Sequence, residues 1–401
     1  MRYELRGNFP FSREEFEERL KRAERYFFSL GMGDIAEEVG RINAIFFLAK
    51  LHFLQENLGY QPKAMIIGAT DFSFQTSPAK FRASVPEGAK IIWGDGNYDF
   101  IPAEMEFDFC GMLVGGLETE PKIEEILDRL DEIGNKAYEI DGISVETEEV
   151  FRPGNHFLNL YKVKNHSKVN LPKNLAILHC SSNEFRKKLI NFANERAERI
   201  STPFGHSLLL KGGDAKIYQN LCQAGSLFAL KKRQLLFEEI FGKGEIIANH
   251  NHYELIRPNQ AVIGCNLVRK EGEILELVLR DNQPAYLIKA KKNLPPQKIE
   301  AIFGSREIED WSFQELLDTN FLPHGGGHCL LEVKEVEKVI VYPGKKIILG
   351  RCQRRTDRAY LDLDNAFRRF RSQGILERVL SLGLADHLTT LECFYSLKVD
   401  F

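Results

Sequence analysis

The stretch Asn320 to Leu331, NFLPHGGGHCLL, sets His324 directly before three consecutive glycines and His328 directly after them. Glycine costs conformational entropy, so three in a row mark either a mobile turn or backbone that must approach another group closely or take a positive φ. An imidazole in such a loop can attack phosphorus to give a phosphoramidate, provided that metal ions or fixed donors neutralise the phosphate oxygens. Backbone amides of a glycine-rich loop supply some of those donors. A turn flanked by incidental histidines is the competing reading, and the three glycines alone do not displace it.

Four further segments place polar, metal-competent residues at the ends of apolar runs. EFDFCGM carries Asp108 and Cys110, PGNHFLNLY carries Asn155 and His156, LAILHCSSN carries His179, and IIANHNHYEL carries His250, Asn251 and His252. Imidazole, thiolate and carboxylate together suit Mn, Fe, Co or Zn. A strand end is a good scaffold for a ligand, because packing holds the backbone while the side chain projects into a cleft. A single histidine is more often just hydrogen-bonded in the core or at the surface. The context shared by four segments favours the metal reading for His156, His179 and His250, with His252 an alternative to His250.

Ser12 with Glu15 forms a capping-box pattern, and Phe16, Leu20, Ala23 and Phe27 recur at helical spacing. From about Asp34 a second helix carries apolar residues on nearly all sides, which predicts a buried helix. Short β-type runs dominate from AMIIGA at 64–69 onward, interrupted by helical patterns at about 120–136, 184–199, 214–241 and 362–382. EILELVLRDNQPAYLIKA reads as a hairpin turning at Asp281 and Asn282, and KAKKNLPPQKIE at 289–300 as an exposed loop. The mixture predicts an α+β or α/β protein without regular βαβ alternation.

At 401 residues the chain can bury a large core, and its 43% hydrophobic and 28% charged content is that of a folded protein. A formal charge of −3 argues against a generally basic nucleic-acid coat and leaves room only for a local basic groove. The residues after Met1 lack the apolar core of a signal peptide, and no apolar run approaches the roughly 18 residues that span a bilayer. The expectation is a cytoplasmic protein without a membrane partner. Seven cysteines, at 110, 180, 222, 265, 329, 352 and 393, show no CxxC spacing, so neither a disulfide framework nor a zinc ribbon is indicated.

In their order along the chain, DFCGM, GNHF, HCSSN, NHN and HGGGH resemble the motif series of the RNA-splicing ligase RtcB family: Asp-x-x-Cys-Gly-Met, Gly-Asn-His-Phe, His-Ser-Gly-Ser-Arg, His-Asn and His-Gly-Ala-Gly-Arg. The segments AGSLFALKKRQLLFEEIFG, VRKEG, NQPAYLIKA, DRAYLDLD and LKVDF are similar to further parts of that family. The resemblance implies an α+β fold of stacked mixed β-sheets packed with helices. It divides the chain into a helical extension over residues 1–60 and a catalytic domain over 61–401. It also implies a two-manganese site, with Cys110 bridging both ions, His156 and His179 completing one and Asp108 with His250 the other. His324 would take GMP from GTP, with Asn155 and Asn251 at the nucleotide phosphates or ribose and Tyr360 and Lys398 near the base. The family then passes GMP to an RNA 3′-phosphate, from which a 5′-hydroxyl displaces it, so RNA ends are the implied partner.

The chain also differs from the pattern. Asp108 and Cys110 are separated by one residue instead of two, which on a strand would point them to the same face. His328 replaces the last motif's Arg, Asn183 stands near the place of another with Arg186 close by, and Asn159 replaces a Glu. KKNLPPQ stands where the family has a small Gly/Ser loop. An Arg fork holds phosphate bidentately and His does not. Two other readings therefore accompany nucleotidyl transfer: a metal-dependent phosphate-ester hydrolase, for which His324 is dispensable and metal is not, and a non-catalytic RtcB-like binding protein.

Overall fold

The structure, a computed structural model, describes residues 3–147, 156–164, 170–280, 283–304, 306–352, 360–363 and 369–398. Its architectural centre is a seven-stranded antiparallel sheet in the order Ile246–Asn251, Gly111–Leu117, Asn174–Cys180, Phe157–Lys164, Ala385–Leu397, Ala285–Ala290 and Ile274–Val278. The sheet curls until its two edge strands, 246–251 and 274–278, lie side by side along a seam. Side chains alternate across each strand. Met112, Val114, Ile177, Tyr161, Leu287 and Val278 fill the inside of the roll. Leu113, Leu158 and Leu178 pack on the outside, against Leu236 of the helix Gly212–Phe241 and Ile126 and Ile133 of the helix Ile123–Gly134.

A five-stranded sheet stands beside the roll, in the order Tyr253–Arg257, Gln260–Ile263, Pro86–Ile92, Met65–Phe74 and Phe27–Ser29; only its last pair is parallel. The strand Met65–Phe74 is buried at all ten positions. A four-stranded sheet contains Tyr3–Leu5 paired in parallel with Val333–Tyr342. The helix Ile35–Asn57 packs on strands of both sheets, and its apolar residues are buried nearly all round, as the sequence predicts. The class is therefore α+β, with mixed sheets and helices.

The Ser12 cap forms, its hydroxyl accepting from the Glu15 amide at 3.1 Å, and the helix Arg13–Arg25 buries Phe16, Leu20 and Ala23. Complete burial of a residue such as Phe16 is worth about 1.5–3 kcal/mol. The helix stops before Phe27, which pairs with Ile66 on the edge of the five-stranded sheet. An unpaired edge beside two β-prone phenylalanines outweighs the helical period there. Residues 3–58 thus supply strands to two sheets and side chains to the same core as the rest of the chain.

Two other elements differ from their sequence reading. The stretch 289–300 does not remain a loop, because Leu294 is fully buried and the helix Pro296–Phe303 begins with proline in its first turn. Among the described residues of the helical pattern over 362–382, the structure has the strand Arg369–Phe370 and the helix Ile375–Leu382, while 364–368 lie outside the described residues. The hairpin of Ile274–Val278 with Ala285–Ala290 forms as expected, while its turn residues Asp281 and Asn282 lie outside the described residues.

Candidate metal centre

Cys110 stands one residue before the strand Gly111–Leu117, at the end of a tight turn. Phe109 takes φ of +56°, and the Cys110 amide donates to Asp108 Oδ1 at 3.1 Å. A left-handed backbone costs a non-glycine residue about 1–2 kcal/mol. Burial holds Phe109 there: its ring fills the space beside Gly225 and meets Phe185 edge-on. Asp108 and Cys110 are therefore set by a turn, without strand alternation between them.

Three ligand atoms converge. Cys110 Sγ lies 2.9 Å from His179 Nε2, and His179 Nε2 lies 3.1 Å from His252 Nε2. All three lie within 4.8 Å of one another, and all three residues are buried. Ideal zinc–ligand lengths place neighbouring donors about 3.3–3.6 Å apart in a tetrahedral site, so small adjustments would accommodate an ion. Burial, and then the Asp108 charge, push the Cys110 thiol well above its ordinary pKa. Burial, and then the neighbouring rings of His324 and His179, push His252 well below its own. A cation reverses that balance, because it binds the thiolate and the neutral imidazoles. Two imidazoles and a thiol that leave a coordination position open fit a transition metal.

The other expected ligands sit at different distances. His156 Nε2 is 3.9 Å from Cys110 Sγ, beside the cluster and outside it. The Asp108 carboxylate lines the adjoining cavity. His250, expected as a ligand, lies outside the centre: its Nε2 is 3.2 Å from Glu273 Oε1 and its Nδ1 3.5 Å from Glu276 Oε2. Burial pulls its pKa down, but the two carboxylates outweigh burial and hold it up at about 9. The strand ends at Asn251; the next residue, His252, donates its amide to the Cys110 carbonyl at 2.8 Å and turns its ring into the centre. His252 takes the place expected for His250.

The centre opens on a cavity of about 600 Å³ whose wall includes His179, His324, all three glycines of the loop, Asp108, Lys80, Arg186, Arg280 and Lys398. Arg186 thus reaches the cavity despite its displaced position in the motif, and Lys398 lines the cavity as well. Asn251 does not: its amide donates to Ser226 Oγ at 2.8 Å and its oxygen accepts from Arg233, on the side of the sheet that faces the helix 212–241. Asn159 is fully buried and donates to the Tyr161 hydroxyl at 2.9 Å inside the roll. Asn155 lies outside the described residues, and Tyr360 enters only as backbone of the strand Tyr360–Asp362.

His324 stands over the centre. Its ring stacks on His252 with centroids 4.3 Å apart, and its Nδ1 lies 2.7 Å from the Gly264 carbonyl. A carbonyl only accepts, so Nδ1 carries the proton and Nε2 keeps its lone pair. Burial lowers the His324 pKa to about 4. Asp71 Oδ2 lies 3.6 Å behind Nδ1, and burial, then the Glu87 charge, raise the pKa of this carboxyl well above normal.

The glycines answer to close approach and positive φ, the second of the two readings open from the sequence. A Cβ on Gly326 would overlap the Arg371 carbonyl, and one on Gly327, at φ +60°, would overlap the Asp71 carbonyl. They let the loop press against buried backbone while it still lines the cavity. Arg371 fastens that arrangement, donating to the Asp71 carbonyl at 3.0 Å and to both Asp34 carboxylate oxygens at 2.7 Å.

Asp71, Asn266 and Glu276 escaped the sequence reading. Asp71 left one trace, as the single charged residue in the fully buried strand Met65–Phe74. No family model matches the chain, and no curated protein matches it.

Proposed function

We propose that this chain is an RtcB-like, metal-dependent nucleotidyl transferase that carries the nucleotide on His324 and delivers it to a phosphate-ended RNA. The observation that carries the reading is the stacking of His324 on His252, which sets a ring with one proton-free nitrogen beside a Cys-His-His centre in a shared cavity. The motif order adds to it.

In this reading His324 Nε2 attacks the α-phosphorus of a nucleoside triphosphate. A nitrogen–phosphorus bond forms, the bond to the bridging oxygen breaks, and pyrophosphate leaves with that oxygen's electron pair. The Gly264 carbonyl keeps the Nδ1 proton in place and the ring aimed. A bound divalent ion, held by Cys110, His179 and His252 with His156 beside them, would supply Lewis-acid polarisation of phosphoryl oxygens. Lys80, Arg186, Arg280 and Lys398 give the cavity wall positive charge for a polyphosphate. The nucleotide then passes to an RNA 3′-phosphate, and a 5′-hydroxyl displaces it as the strand is sealed.

The resemblance names GTP and two Mn²⁺ ions as the cofactors. Asn159 stands where the resemblance puts a Glu that accepts from guanine, and its amide donates inside the roll, so preference for guanine is a separate question from transfer itself. Intact mass spectrometry after incubation with Mn²⁺ and GTP, ATP, CTP or UTP in turn tests the reading. An acid-labile nucleoside-monophosphate adduct that is absent from His324→Ala is the expected result, and the nucleotide that forms it identifies the base. Metal-bound protein that forms no adduct but still cleaves phosphate esters in the His324→Ala variant would replace transfer by hydrolysis.

A further inference from the structure

His252 does not hold its orientation alone. Its Nδ1 lies 3.2 Å from Asn266 Oδ1. The Asn266 amide nitrogen in turn donates to the Glu276 carbonyl at 3.1 Å and to Glu276 Oε1 at 3.2 Å. Turning that amide over would set its oxygen against two acceptors, so the arrangement has one sense. Asn266 Oδ1 must accept from His252 Nδ1, which leaves His252 Nε2 to face Cys110 and His179.

The line continues outward. Glu276 is fully buried, and a buried carboxylate is costly unless something compensates it. His250 Nδ1 lies 3.5 Å from its Oε2, and His250 Nε2 lies 3.2 Å from Glu273, which accepts the Arg269 amide at 2.8 Å. His250 and Glu276 come from the edge strands 246–251 and 274–278, and Asn266 from the short strand Cys265–Leu267. The line therefore crosses the seam, where no ladder joins the edge strands among the described residues.

We infer that Asn266, Glu276 and His250 are positioning residues for the metal centre, which tie the orientation of the ligand His252 to closure of the rolled sheet. The inference rests on the reading of Cys110, His179 and His252 as ligands. Outer partners of a ligating histidine fix its tautomer, and their loss characteristically weakens metal binding about 10–100-fold without removing the site.

The test uses the full chain, stripped with a chelator and titrated with Zn²⁺ in competition with a chromophoric chelator, then with Co²⁺ followed by absorption. Asn266→Ala and Glu276→Gln are expected to keep the wild-type stoichiometry and to lose about 10–100-fold in affinity. Their thiolate-to-Co²⁺ charge-transfer band should persist while the ligand-field bands move. Cys110→Ala should lose the charge-transfer band. Glu276→Gln changes shape least and carries the test if Asn266→Ala does not fold. Wild-type affinity and spectrum in folded variants would overturn the inference alone. Loss of one whole ion in His250→Gln would make His250 a ligand and overturn it differently. A wild-type chain that binds neither ion would remove the metal reading and the inference with it.

Discussion

Glu87 lines the cavity at 6% exposure, and the Tyr253 hydroxyl donates to its Oε2 at 2.5 Å. Burial raises its pKa from 4.5 to about 7 against the lowering effect of that hydrogen bond. A carboxyl that holds its proton more tightly folded than unfolded stabilises the fold relatively at low pH. That advantage is lost as pH rises from about 4.5 through about 7, a swing of about 3 kcal/mol. Glu87→Gln should therefore gain stability over the wild type between pH 5 and pH 8 in urea midpoints. An offset that is the same at both pH values would contradict this. Cys110→Ala should lose bound transition metal by elemental analysis, and unchanged content would end the reading of Cys110 as a ligand. Residue types were enough to single out the His324 loop and Cys110, which the structure brings together around His252. His250 and His252 could not be separated that way, because a strand's period of two puts both on one face; the choice depends on the strand ending at Asn251. Asn266 and Glu276 bear no spacing relation to Cys110, and only closure of the sheet brings them near it.

The glycine loop is the element on which the site turns. Gly327→Ala combines a left-handed backbone with overlap on the Asp71 carbonyl, and should cost about 2–5 kcal/mol. Thermal melting reads the loss directly, and a melting temperature equal to the wild type would mean that the loop has slack the geometry denies. Long periodic helices were legible beforehand: Ile35–Asn57 and Gly212–Phe241 lie where their patterns put them. Short elements were less so. Phe27 continues a helical period yet joins a strand, and Leu294 sits in a basic, proline-containing stretch yet is fully buried. In both cases a partner distant in sequence decides, an open sheet edge for one and the core for the other.

For the molecule as a whole, the sequence marked the mixed α+β class but set the first sixty residues apart as an extension. Strands Tyr3–Leu5 and Phe27–Ser29 pair with partners more than thirty residues away, and Phe16, Leu48 and Leu51 share the main core. A chain that begins at residue 61 should not unfold cooperatively; retention of a sharp melting transition and of metal binding would restore the extension. The depth of the centre has a further, kinetic consequence. Cys110 and His252 are 3% and 0% exposed, and of the three proposed ligands His179 is the one that lines the cavity. Under the proposed function, an ion arriving from the cavity would pass through the space a nucleotide would occupy, and a nucleotide in place would bar its return. Order of addition should therefore matter: metal before nucleotide loads the site, whereas nucleotide before metal slows uptake, and a filled cavity holds the ion against chelators for as long as the nucleotide stays.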